Sequence, residues 1–281
     1  MPVGGGRSIY NVAKGRGCLV YYEVRQLRMN RTPPADVRRA LRREVGFGCP
    51  VPDCGNPYLE WHHFDPPWHL REHHDPAGMI ALCVEHHAKA NIGSFTTDQL
   101  RAFKQRGQTQ EVIGRFDWMR HDLLAVVGGN FYHETLIAVE FRGSPVVWFT
   151  RDTNGYLLLS LRMLTASGEE RAQIDENFWI KRGEPSDLLC PPSGRTLGIV
   201  YQNGDRLGIE FLLLNRVEDA RQRYRGADPS MWPITFPVTA VEVTMNVANS
   251  HIEFGPRATK VGGVHMQNGF MSRCGVGLAI S

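Results

Sequence analysis

The 281-residue chain contains no apolar run approaching the roughly 20 residues needed to span a bilayer. Its first residues, MPVGGGRSIYNVAKGRG, lack the apolar stretch and cleavage site of a secretory leader. A cytoplasmic protein with no membrane partner is therefore expected. No Walker-type phosphate loop is present. Asp152, Asp175, Glu184 and Asp187 form no recognisable acid pair. Cysteine is scarce, with six residues (Cys18, Cys49, Cys54, Cys83, Cys190 and Cys274), and a reducing compartment would keep these as thiols or metal ligands rather than disulfides. Net charge is small too, at +3, but it is unevenly spread. Met1 to Arg43 carries ten Lys or Arg against two acids, Glu23 and Asp36. Such a stretch suits a phosphate-binding surface and suits a solvated arm equally well, and charge alone leaves both open.

Hydrophobic content is 42% and charged content 22%, so an ordinary globular core can form. The distribution of histidine is more telling. Seven of the eleven histidines fall between His62 and His87, with three of the six cysteines in or just before that window. Clustered imidazoles and thiols are costly to bury without a common partner.

The spacing predicts a helix over Pro33 to Val45, opened by proline, with Val37, Leu41 and Val45 on one face and Gly46 and Gly48 at its end. Arg38, Arg39, Arg42 and Arg43 occupy most of its remaining surface. Cys49 to His74 has little periodicity and reads as loops and short strands held by ligands. Met79 to Ala90 reads as a strand turning into a helix. A further helix follows Thr96 or Thr97 and stops at Gly107. From about Val126 the pattern changes to period two, in runs such as Leu136–Phe141, Val146–Phe149 and Leu207–Leu214 separated by turn signals. The expected fold class is α+β. It comprises a basic arm over residues 1–32, a metal-stapled module over 33–110 and an all-β domain over 120–281. For the all-β domain a sandwich is the first choice and a β-helix the second, with no exact internal repeat to decide between them.

Cys49 and Cys54 form one knuckle, and Cys83 and His86 a second about thirty residues on. Three thiolates and one imidazole complete a tetrahedral structural Zn²⁺ site, against the alternative of buried thiols. Such a staple would fold a segment too poor in apolar residues to fold alone. Inside it lies a second set, His62 and His63 after Glu60-Trp61, and His87 after His86. The zinc positions being filled, His62 and His87 are free to bind a separate cation with open positions for water and phosphate. His63 is then free to deprotonate a water.

The text RRALRREVGFGCPVPDCGNPYLEWHHFDPP, followed by HHDPAGMIALCVEHHAKA, resembles the HNH endonuclease family over roughly seventy residues. The resemblance implies a ββα-metal fold in which His62 is the first metal ligand, His63 the general base and His87 the closing ligand. It implies hydrolysis of DNA phosphodiester bonds with Mg²⁺, Mn²⁺ or Ni²⁺ at the catalytic position. Double-stranded DNA would be the partner, and Arg38, Arg39, Arg42 and Arg43 are candidates to track its backbone or else solubilising charge. HNH sites act on one strand at a time, so double-strand cutting implies a homodimer. Bacterial HNH modules are commonly fused to domains that set where or when they cut. That analogy points to restriction or antiphage defence, with the β-rich half recognising DNA, a regulatory ligand or a protein partner.

The sequence departs from the family at one place, where the usual asparagine that orients the base-bearing loop falls on Gly78. Asp75 or His74 are the expected stand-ins. Asp65 reads as a turn residue or a metal-site ligand, His69, His73 and His74 as loop surface, phosphate contacts or extensions of the metal site, and Trp61 and Trp68 as packing or base-stacking residues. A rival reading keeps the zinc module as a non-catalytic nucleic-acid binder. A third makes it a scaffold for an interacting β-rich half.

Overall fold

The computed structural model describes residues 29–281. The expected basic arm, residues 1–32, lies almost wholly outside that range, as does Cys18. Within the range the protein is mostly β, with 39% of residues in strands and 16% in helices. This overturns the expected α+β class with its N-terminal ββα domain. The reason is physical. Segments of only three residues, too short to show a period, also pair, giving nineteen strands among the described residues.

The metal-bearing part begins with helix α1, Ala35–Glu44, which follows Pro34 and turns Leu41 inward. Strand β1, Leu59–His63, pairs antiparallel with β2, Met79–Cys83, placing Leu59 opposite Cys83 and His63 opposite Met79. All five residues of β2 are buried. Helix α2, Val84–Asn91, starts directly from Cys83. Helix α3, Thr97–Arg106, is opened by a reciprocal capping box between Thr96 and Gln99 and closed at Gly107, whose φ of 69° favours glycine. Leu41, Val45, Leu59, Ile80, Leu82 and Leu100 form a small core distinct from those of the sheets.

Two sheets make up the rest. The seven-stranded one runs from Val276–Ile280 through Ile137–Phe141, Ser144–Arg151, Leu157–Leu164, Glu170–Asp175 and Phe178–Ile180 to Ile113–Arg115. The ten-stranded one centres on the paired nine-residue strands Arg206–Leu214 and Val238–Asn246. Leu123–Val127 joins it in parallel beside Val238–Asn246. Val139, Val147 and Leu159 of the first sheet share one core with Leu197, Ile209, Phe211 and Val241 of the second. No helix among the described residues is long and apolar enough to cross a membrane.

An ion pair joins α1 to the Asp187–Leu189 strand. Arg42, only 8% exposed in its side chain, donates three times from Nε and Nη2 to Asp187 at 2.7–3.0 Å, and Arg39 Nε adds a fourth bond at 3.2 Å. Arg42 also lies over the Trp61 ring, 5.9 Å from its centroid. Arg39 and Arg42, expected along a DNA backbone, are thus committed to a carboxylate of the β-rich half. Arg38 is partly buried, and only Arg43 stands fully clear. Removing one partner of a largely desolvated pair leaves the other uncompensated. Asp187→Ala is therefore expected to destabilise the protein by about 2–3 kcal/mol, read as a lowered denaturant midpoint. An unchanged midpoint would show that the bond is incidental.

Candidate metal centre and histidine cleft

The first site lies where the Cys49–Cys54 knuckle meets the β2–α2 junction. The Cys49, Cys54 and Cys83 sulfurs and a His86 ring nitrogen all lie within 4.8 Å of one another. Cys54 Sγ is 3.8 Å from Cys83 Sγ, and His86 Nδ1 is 3.4 Å from Cys49 Sγ and 3.2 Å from Cys83 Sγ. Four tetrahedral ligands at Zn–S of about 2.3 Å stand about 3.8 Å apart, so the donor set fits a metal ion. Hydrogen bonding between Cys49 and Cys83 lowers Cys83 to about 5 while it raises Cys49, and burial raises Cys54. Such crowded sulfurs ionise together only around a shared cation.

The second site is separate. His62 and His87 face each other with ring centroids 5.5 Å apart and planes at 74°. The carboxylate of Glu60, two residues before His62 on the same strand face, accepts from His87 Nδ1–H at 2.5 Å. That bond fixes the tautomer and leaves the His87 Nε2 lone pair available. Asn91, one turn further along α2, approaches this Nε2 at 3.5 Å. His62 Nδ1 is buried without a protein partner. Burial first, then the neighbouring His87, lowers His62 to about 4, so the ring is neutral at pH 7, as a ligand must be.

His63 occupies the next strand position and faces a different environment. It is 4% exposed, and neither ring nitrogen has a hydrogen-bond partner. Trp68, His73 and His74 surround it at centroid distances of 4.6, 5.2 and 6.0 Å. Burial first, with the positive charge of Arg31 adding to it, lowers it to about 4. A cleft of about 400 Å³ is lined by His62, His63, Asn91, Trp68, His69 and Arg31, among others.

The remaining expectations sort by contact. Trp68 and Trp61 pack, the former stacking on His74. Asp65 is exposed and pairs with Arg101. His69 is exposed at the rim of the cleft, whereas His73 is not loop surface but buried. Glu60, Asn91, Arg31 and the burial of His73 escaped the sequence reading. The first two carried a signal, as residues two before His62 on a strand and four after His87 on a helix.

Gly78 has a steric explanation. A side-chain carbon there would overlap the Asp65 carbonyl oxygen and come within 2.9 Å of His73 Cε1. The Gly78 carbonyl also accepts from the backbone amides of Phe64 and Asp65. Installing the asparagine usual in HNH enzymes is thus expected to damage this protein rather than improve it. Overpacking of this kind costs about 3 kcal/mol when backbone must move. Gly78→Asn should show it as a lowered thermal midpoint, and a wild-type midpoint would contradict the close approach.

Compared with protein-family models, curated proteins and solved structures, the chain matches none.

Proposed function

We propose that the protein is a metal-dependent endonuclease that hydrolyses phosphodiester bonds in double-stranded DNA. The observation that carries this reading is the separation of the two donor sets. The Cys3His group forms a complete four-ligand cluster, and a second pair, His62 and His87, meets ring to ring apart from it, with His62 and His63 lining one cleft. Three sulfurs and one imidazole favour zinc in the first site, where its role is to hold β2 and α2 against the Cys49–Cys54 knuckle. A divalent cation, Mg²⁺, Mn²⁺ or Ni²⁺, bound by His62 and His87 would supply positive charge beside a phosphate. Glu60 holds the His87 proton at Nδ1 and so keeps Nε2 turned to that role. His63, neutral and without a protein partner on either nitrogen, receives the proton of an attacking water. Arg31, at the cleft wall, adds a positive charge for a phosphate. Cutting both strands would take two copies of such a site.

A rival reading, a zinc-stapled module that binds nucleic acid without cutting it, draws on the shielding of both His63 nitrogens from bulk water. Nicking of supercoiled plasmid by the purified protein with each of the three cations, beside His63→Ala, separates the two. Cutting by the wild type alone supports the nuclease. Binding by both proteins without cutting by either supports the module.

A further inference from the structure

His63 makes no hydrogen bond of its own, so its orientation comes from what is packed around it. Of its three aromatic neighbours, Trp68 and His74 stack on each other at 5.5 Å and 29°, and His74 Nδ1 is without a partner. His73 differs from both. It is 7% exposed, and both of its ring nitrogens are tied to backbone. Nε2–H donates to the Pro66 carbonyl at 2.9 Å, and Nδ1 accepts from the Asp75 amide at 3.2 Å. Only a neutral imidazole with its proton on Nε2 can make both bonds. The ring thus links the stretch leaving β1 to the Pro76–Gly78 turn that enters β2, across the mouth of a loop otherwise short of regular structure. It meets the His63 ring edge to face at 89°. Gly78 makes room for it, since a side-chain carbon at that position would press on His73 Cε1. Neither Asp75 nor His74 does this work. Asp75 caps the short turn by accepting from Ala77, and His74 lies against Trp68.

We propose that His73 is the positioning residue for His63, acting through its two backbone hydrogen bonds rather than as bulk. The proposal rests on the nuclease reading for its kinetic consequence but not for its structural one. A loop released by loss of both bonds lets the wall beside His63 move, and a displacement of about 1 Å costs on the order of 100-fold in rate.

The test uses two variants of the full chain. His73→Phe keeps a ring and loses both hydrogen bonds, whereas His73→Gln loses the ring and keeps one donor and one acceptor. Three quantities are read: kcat and KM for plasmid nicking, zinc content, and the rate at which diethyl pyrocarbonate acylates His63, followed by peptide mass spectrometry. The Phe protein should bind zinc normally, lose roughly 100-fold in kcat with little change in KM, and acylate His63 several-fold faster. The Gln protein should stay close to wild type in all three. An active, shielded Phe protein beside a slow, exposed Gln protein would overturn the proposal, because packing and not hydrogen bonding would then set His63. So would wild-type behaviour in both. If the Phe protein fails to hold zinc, the Gln protein decides alone, retention supporting the proposal and loss overturning it. A wild type that nicks no DNA removes the nuclease reading, and the acylation contrast then decides the positioning role.

Discussion

Stripping the metal from the protein is expected to melt the segment from about Cys49 to Gly107 while both large sheets stay folded. The two parts have separate cores. Leu41, Val45, Leu59, Ile80, Leu82 and Leu100 sit around the staple, whereas the sheet core is drawn from strands beyond residue 120 and a few flanking residues such as Phe47 and Val112. The stapled core is small, and the chain from Cys49 to Tyr58 contributes no helix or strand of its own. Structural zinc sites supply about 10–16 kcal/mol of binding free energy in small modules, more than such a core can replace. Limited proteolysis with and without a strong chelator checks this, together with metal analysis giving one zinc per chain. Cuts should appear between Cys49 and Gly107 and spare the sheets. A chelated protein equally resistant in both parts would show that the four ligands close a packed thiol cluster rather than a metal site.

Replacement of His63 by alanine is expected to lower nicking by a factor of about 10²–10⁴, the range contributed by a positioned general base. DNA affinity should stay near the wild-type value, because His63 is 4% exposed and contributes no charge at pH 7. The alanine leaves space beside Trp68, and removing a buried ring lowers stability as well, so the comparison belongs well below the melting temperature. A matched loss in kcat and kcat/KM would place the effect in the transition state. An alanine protein that cuts as fast as wild type would take the base role away from His63.

The features legible in the sequence were those with short-range causes. Pro34 and Thr96 opened helices, Gly107 ended one, and the two knuckles announced the Cys3His cluster because their ligands sit close together in the chain. Period-two runs coincided with long strands such as Arg206–Leu214. What escaped depended on distant or backbone partners. Arg42 looked like one more exposed arginine of a basic helix, and its partner Asp187 lies 145 residues away. His73 was indistinguishable from its neighbours, since its partners are backbone groups of Pro66 and Asp75 and no side-chain pattern encodes them. The class was misjudged because Thr259–Val261, Val264–Met266 and Phe270–Ser272 are too short to show alternation.

His86 and His87 are consecutive residues of α2, yet one belongs to the Cys3His cluster and the other packs against His62. A helix turns about 100° per residue, so this adjacency is what aims two neighbouring imidazoles in different directions. The register of that single turn therefore tolerates no insertion or deletion. Adding or losing one residue between Cys83 and His86 would rotate both histidines away from their present partners at once. Val84 and Glu85, the two residues between Cys83 and His86, are therefore expected to accept substitution but no change in number.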